Sequence, residues 1–299
     1  MLPNDPLWPR ASAWLKLAAA ARTSDLALIG IPAFRSSISP TGAHATPAAV
    51  REALARYSTY AGSRGVDVAQ LTAVDLGDIE DPDGSEGESR VRRAVAGAVG
   101  ACRLLIALGG DNSITSPVMR GMAGERLSDW GLITVDAHYD LRDGISNGSP
   151  VRRLLQAGLP GEHVVQIGIA DFVNSAAYAE RAREHGIAVI HRGELRGRSM
   201  LEVAEEALGI AGAGARPVYV DLDVDVCNRA EVPGCPASAP GGMSADDLRE
   251  LAFFLARDGR VQAIDITEVD ATADATDGRT VRLAALLVLE AAAGLALRE

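Results

Sequence analysis

Two short strings carry the residues best suited to chemistry: Asp136-Ala137-His138-Tyr139-Asp140 and Asp221-Leu222-Asp223-Val224-Asp225. Each ends an apolar run that reads as a buried β-strand. Carboxylates at alternate positions of a strand point to one side of it. Packing several there costs repulsion and desolvation unless something positive sits among them. A divalent metal ion, or a pair of them, is the simplest such partner. Oxygen ligands with a single imidazole suit a metal such as Mn²⁺ better than a thiolate metal.

The elements that must position these residues recur along the chain. Strand-like runs fall at 25–31, 71–79, 103–110, 131–138, 163–169, 187–190, 216–225 and 261–267, which makes eight. Between most of them lie stretches with helical spacing: 46–58, 87–101, 173–185, 199–211, 244–257 and 280–297. Thr46-Pro47 places proline at a helix start, and Ser244 precedes an acidic first turn. Strands alternating with helices predict a parallel sheet covered on both faces, an α/β fold. Ligands of such sheets sit at the carboxyl ends of strands, where both acidic strings lie. Loops are expected at 78–86, 143–150 and 227–243.

Composition narrows the partners. The 299 residues are 47% hydrophobic, enough for a large core, and no composition break marks a linker. One domain over 1–299 is expected, with 1–24 as an N-terminal extension. A net charge of -11 argues against bulk attraction to nucleic acid or anionic membrane. Cys102, Cys227 and Cys235 form no CxxC pair and read as reduced thiols of a cytoplasmic protein. The N-terminus lacks the basic start and long apolar centre of a signal peptide. His44, His163, His185 and His191 sit in no ligand spacing.

Two further strings belong with the first pair. Leu108-Gly109-Gly110-Asp111-Asn112-Ser113 ends an apolar run and opens a helix, and Asp265-Ile266-Thr267-Glu268 ends another run. Together the four resemble the ureohydrolase family of arginases, agmatinases and formimidoylglutamases. That resemblance runs from about Asp25 to Gly294. It implies a three-layer α/β/α sandwich around a mostly parallel, eight-stranded sheet. Four stretches resemble the formimidoylglutamases in particular: 36–42 with 58–60, 140–142 with 146–150, 161–168 and 230–243.

The resemblance implies site roles. Asp136, His138, Asp140, Asp223 and Asp225 would bind two Mn²⁺ ions per subunit. Asp140 would also orient the attacking water and shuttle a proton, and Glu268 would pair with the cationic amidine. Asn112 stands where the family has histidine, so the metal position beside it is expected to be weak. Asn147 stands where arginases and agmatinases often carry a histidine proton shuttle; formimidoylglutamases resemble this chain there. Arg142, Asn147, Ser149 and Arg152 are the candidates for holding substrate carboxylates. For Arg142 and Arg152 a surface salt-bridging role is an equal alternative. The implied reaction is hydrolysis of N-formimidoyl-L-glutamate to L-glutamate and formamide, by a cytoplasmic homo-oligomer of histidine breakdown. Two other readings stay open. One is hydrolysis of agmatine, a guanidino acid or a hydroxyguanidine. The other is a non-catalytic relative that lost metal through Asn112.

Overall fold

The computed structural model describes residues 5–17 and 23–298, so part of the expected N-terminal extension lies outside the described residues. Nine strands form one sheet. They are β1 (Lys16–Leu17), β2 (Ser24–Ile31), β3 (Ala73–Asp78), β4 (Cys102–Gly109), β5 (Gly131–Val135), β6 (Val164–Ile169), β7 (Ala188–His191), β8 (Val218–Asp223) and β9 (Val261–Thr267). Their order is β1-β3-β2-β4-β9-β8-β5-β6-β7, and the pairings are parallel. Eight match the expected runs. The ninth, β1, is a two-residue edge strand, too short to give a periodic signal.

Nine helices accompany the sheet: α1 (Ala11–Trp14), α2 (Thr46–Ala53), α3 (Gly84–Ala98), α4 (Thr115–Ala123), α5 (Pro150–Gln156), α6 (Ala176–Glu184), α7 (Met200–Ala211), α8 (Ala245–Arg257) and α9 (Arg279–Ala296) among the described residues. Alternate strand residues serve opposite cores. Leu104, Ile106 and Leu108 pack with residues of α2, α7, α8 and α9, whereas Leu105 and Ala107 pack with α3, α4, α5 and α6. This gives the three-layer α/β/α sandwich. Continuous apolar strands are what two covered faces require. Ser244 and Ser199 cap α8 and α7 in capping boxes with Asp247 and Glu202. Among the described residues no helix is long and apolar enough to cross a membrane.

Three helices, α1, α4 and α5, stand beyond the expected helical stretches, and α1 is only four residues long. The Asn112 string predicts a helix opening there, and α4 follows it, buried at every residue but Arg120. Helix α5 is only 7 residues long. The two strands that lead into the acidic strings also end two or three residues earlier than expected. Strand β5 stops at Val135, so Asp136 to Asp140 lie on the turn after it. Strand β8 stops at Asp223, and Asp225 lies in a 3₁₀ turn, Val224–Val226. The acids therefore converge through tight turns rather than along a pleat.

The order of strands places those turns together. The chain fills one half of the sheet up to β4, then crosses to β5, and later returns β8 and β9 to the gap. Such a switch point opens a crevice at the carboxyl ends of the strands. Register aligns the ends: Leu222 faces Val135 and Ile266, and Asp223 faces Thr267. Gly110 lets the next turn pass, since a Cβ there would lie 1.9 Å from the Ala33 carbonyl oxygen. The freed backbone bonds Asp111 N–H to Ala33 O and Glu268 N–H to Gly110 O.

Candidate active site

The tightest cluster joins Asp136, His138 and Asp225, whose ligand atoms lie within 4.8 Å of one another. His138 Nδ1 is 2.7 Å from Asp225 Oδ2 and 3.4 Å from Asp136 Oδ1. Backbone donors fix the carboxylates. His138 N–H donates to Asp136 Oδ1 at 2.6 Å, Ala137 N–H to Asp225 Oδ1 at 3.0 Å, and Asp225 N–H to Asp223 Oδ1 at 2.8 Å. Asp140 and Glu268 are both held in the left-handed region, at φ of 54° and 60°. Non-glycine residues there mark a backbone held in place by its surroundings. Asp140 Oδ2 accepts from Asn112 Nδ2 at 2.6 Å. Glu268 Oε1 accepts from Asn112 N–H and Asn147 Nδ2, each at 2.8 Å.

A cavity of about 470 Å³ opens over these groups, lined by His138, Asp140, Arg142, Asn147, Asp223, Asp225 and Glu268, with Ile38 and Phe172 among its rim residues. Asp136, Asp140, Asp223, Asp225 and Glu268 are all buried, and His138 is the one basic side chain inside the cluster among the described residues. Burial, then the neighbouring Asp136 or Asp225 charge, pushes Asp140 and Asp223 well above the usual carboxylate range. Burial and Asp225 raise Asp136 to about 7. Burial opposes the charge on His138, but Asp225 beside it prevails and raises it to about 12. Asp136 Oδ2 is buried with no hydrogen-bond partner. An excess of buried acid, an orphaned carboxylate oxygen and an oxygen-rich donor set with one imidazole together fit a hard divalent cation such as Mn²⁺.

The structure separates the expected substrate-holding residues. Arg142 and Asn147 line the cavity. Arg142 is exposed and makes no ion pair with any described residue. Ser149 is buried away from it: its Oγ donates to Ser146 O at 2.9 Å and accepts from Ser146 N–H at 3.0 Å. Arg152 reaches back to the carbonyls of Arg142 and Gly144. Both residues bond back to the loop, Ser149 from a buried position and Arg152 from a half-buried one, and neither lines the cavity. Asn112 lies behind the cluster and points its amide nitrogen at Asp140. Residues missed from the sequence include Asn174, which accepts from Tyr139 N–H and donates to Ala137 O, pinning the Asp136–Asp140 turn. Nothing in its loop context distinguished it.

The acid shifts carry a pH prediction. Ligating carboxylates must be deprotonated, so metal uptake displaces protons wherever the metal-free site holds them. With Asp136 raised to about 7, Mn²⁺ affinity should fall below that pH. The expected slope is about tenfold per pH unit for each proton displaced. The folded, metal-free state binds this proton more tightly than the unfolded chain. Its stability should therefore drop as pH rises from 3.8 toward about 7. Calorimetric titrations in buffers of different ionisation enthalpy measure the proton release. A flat affinity through that window would contradict the cluster's acidity.

Comparison with known proteins agrees with this architecture. The Arginase family model matches residues 24–294, and the chain belongs to the arginase family. It is a hydrolase acting on carbon–nitrogen bonds of linear amidines. The formimidoylglutamase of Halalkalibacterium halodurans is 39% identical over 285 residues, covering 90% of this chain and 86% of that relative. The crystal structure of formimidoylglutamase from Bacillus subtilis superposes with a TM-score of 0.93 at 31% identity, covering 100% of this chain and 95% of that one. Trypanosoma cruzi formiminoglutamase with two Mn²⁺ gives a TM-score of 0.89 at 25% identity, covering 98% and 100%.

Proposed function

We propose that the protein hydrolyses N-formimidoyl-L-glutamate to L-glutamate and formamide in an Mn²⁺-dependent reaction. One observation carries this reading. A single cavity holds the acidic cluster, Glu268 braced by two donors, and Arg142 as a cation without an ion-pair partner among the described residues. Mn²⁺ seated among Asp136, His138, Asp140, Asp223 and Asp225 would supply Lewis acidity and lower the pKa of water.

The chain's own residues do the rest. Burial, then Asp111, raises the Glu268 carboxyl to about 8 in the substrate-free protein. A cationic amidine beside it favours the ionised form, so substrate and carboxylate charge each other. Asn112 N–H and Asn147 Nδ2 occupy Oε1 and leave Oε2 for the amidine nitrogen. Asp140, deprotonated once a cation sits in the cluster, takes a proton from the attacking water and returns it to the departing amine. Arg142 meets a substrate carboxylate; bidentate pairing would orient it. A cation at this rim opposes agmatine, whose tail is itself cationic.

Replacing Arg142 by methionine should lower kcat/KM on N-formimidoyl-L-glutamate by about 1.5–3 kcal/mol, mainly through KM. A guanidino acid also carries a carboxylate, so only a substrate panel separates that alternative. The test compares kcat/KM for N-formimidoyl-L-glutamate, guanidinobutyrate, arginine and agmatine. The formimidoyl compound should lead, and a guanidine in first place would overturn the substrate assignment. A reducing, cytoplasmic location is supported by three free cysteines. Assembly as a homo-oligomer is carried by the family resemblance, and sedimentation decides it.

A further inference from the structure

The rim of the cavity carries a side chain that folding alone does not favour there. Phe172 lies in the turn between β6 and α6, and its ring is fully exposed. Its backbone is left-handed, at φ of 66°. Bulky residues rarely adopt that region, and glycine adopts it freely. Asp140 and Glu268 share the region but are buried. An exposed ring gains no burial to offset the cost.

The turn is held at both flanks. Ala170 N–H donates to Ala137 O at 3.0 Å. Asn174 Nδ2 donates to Ala137 O at 2.8 Å and to Ala170 O at 3.2 Å, and Asn174 Oδ1 accepts from Tyr139 N–H at 3.2 Å. Phe172 is thus carried on the brace that also fixes the Asp136–Asp140 turn. Strain that a rigid surround keeps in place is a pointer to function.

The cavity says which function. Phe172 lines it with Ile38, Arg142 and Glu268, and Ile38 is itself 54% exposed. A substrate with its amidine on the buried Glu268 and a carboxylate on Arg142 runs its carbon stem between the two. Ile38 and Phe172 are the large apolar side chains that this lining leaves in water among the described residues. Methylenes and an exposed ring both gain by covering one another.

We propose that Phe172 is a specificity-determining residue whose ring turns over the cavity mouth and packs on the carbon stem between the substrate's amidine and its outer carboxylate. Rotation of the side chain between rotamers carries the ring, so the braced turn stays in place. The favoured class is an amidine joined to a carboxylate by two or more methylenes. The inference rests on the hydrolytic reading of the cavity given above.

The experiment compares parent, Phe172→Gly and Phe172→Leu on N-formimidoyl-L-glutamate and on N-formimidoylglycine, which keeps the amidine and one carboxylate but has no methylene stem. Phe172→Gly should lower kcat/KM on the glutamate compound about tenfold, mainly through KM, the worth of covering two methylenes. On the glycine compound the change should be about twofold or less. Phe172→Leu should recover most of the loss. Because glycine suits the left-handed turn and no buried contact is lost, Phe172→Gly should melt at or above the parent's temperature. Unchanged kcat/KM on the glutamate compound, or an equal loss on both substrates, would overturn the proposal. So would loss of assembly on sedimentation, which would place the ring between two copies of the chain. If guanidinobutyrate leads the substrate panel, the formimidoyl assignment fails by itself. The same comparison, guanidinobutyrate against guanidinoacetate, then decides the role of Phe172.

Discussion

Asp136→Asn should remove Mn²⁺ binding and reduce hydrolysis about a thousandfold, because a metal's Lewis acidity is worth several kcal/mol and each 1.4 kcal/mol is tenfold. Asparagine keeps the oxygen that accepts from His138 N–H but drops a buried charge. Asp136 is unfavourable in the metal-free protein, where burial and Asp225 raise it to about 7. The variant should accordingly melt at or above the parent's temperature without metal. What it should lose is the rise on adding Mn²⁺, which for the parent is about 2.7 kcal/mol at a concentration 100 times Kd. Melting curves with and without Mn²⁺, alongside metal content, check both halves. A variant that keeps its metal and its thermal shift would remove Asp136 from the ligand set.

Glu268→Gln should leave metal content intact and still cost the reaction heavily. The amide can accept the bonds from Asn112 N–H and Asn147 Nδ2, so the loop anchoring persists. It cannot carry the charge that faces an amidinium. A hydrogen bond to a charged partner is worth about 1.5–3 kcal/mol, and the loss includes the Coulombic attraction in a dry cavity, so kcat/KM should fall at least 10- to 100-fold. The pH profile should lose the limb that reports this carboxylate. Loss of metal in this variant would instead place Glu268 in the metal cluster.

Much of this site was legible because of how buried parallel strands end. Both faces are covered, so β5, β8 and β9 read as mostly apolar runs, interrupted by Asp221 in β8 and by Gln262 and Asp265 in β9, and an Asp or Glu marks each carboxyl end. The strings around Asp136, Asp223, Asn112 and Glu268 could therefore be placed at strand ends before any pairing was known. Their convergence depends on strand order, which bare periodicity does not give; the family resemblance supplied it. Ser149 and Arg152 show the limit. They neighbour Asn147 in sequence, but Ser149 sits at the start of α5 and Arg152 within it, and both bond back to the loop without lining the cavity. The Thr115–Asp265 contact spans 150 positions and joins residues that look like ordinary core-edge polars. Asp221 and Asp265 stand opposite each other in register, a fact visible only once β8 and β9 are known to be neighbours.

Strand β1 was hidden by its brevity, and helix α4 was marked only at its opening, by the Asn112 string. Neither alters the site directly, though α4 carries Thr115 at its first position.

The most direct test follows products from N-formimidoyl-L-glutamate with protein stripped by chelator and then reloaded with Mn²⁺. The stripped protein should be inert. Reloading should release L-glutamate and formamide in equal amounts, with rate rising in step with bound metal. Equal turnover by stripped and reloaded protein, or no glutamate at any Mn²⁺ concentration, would contradict the account.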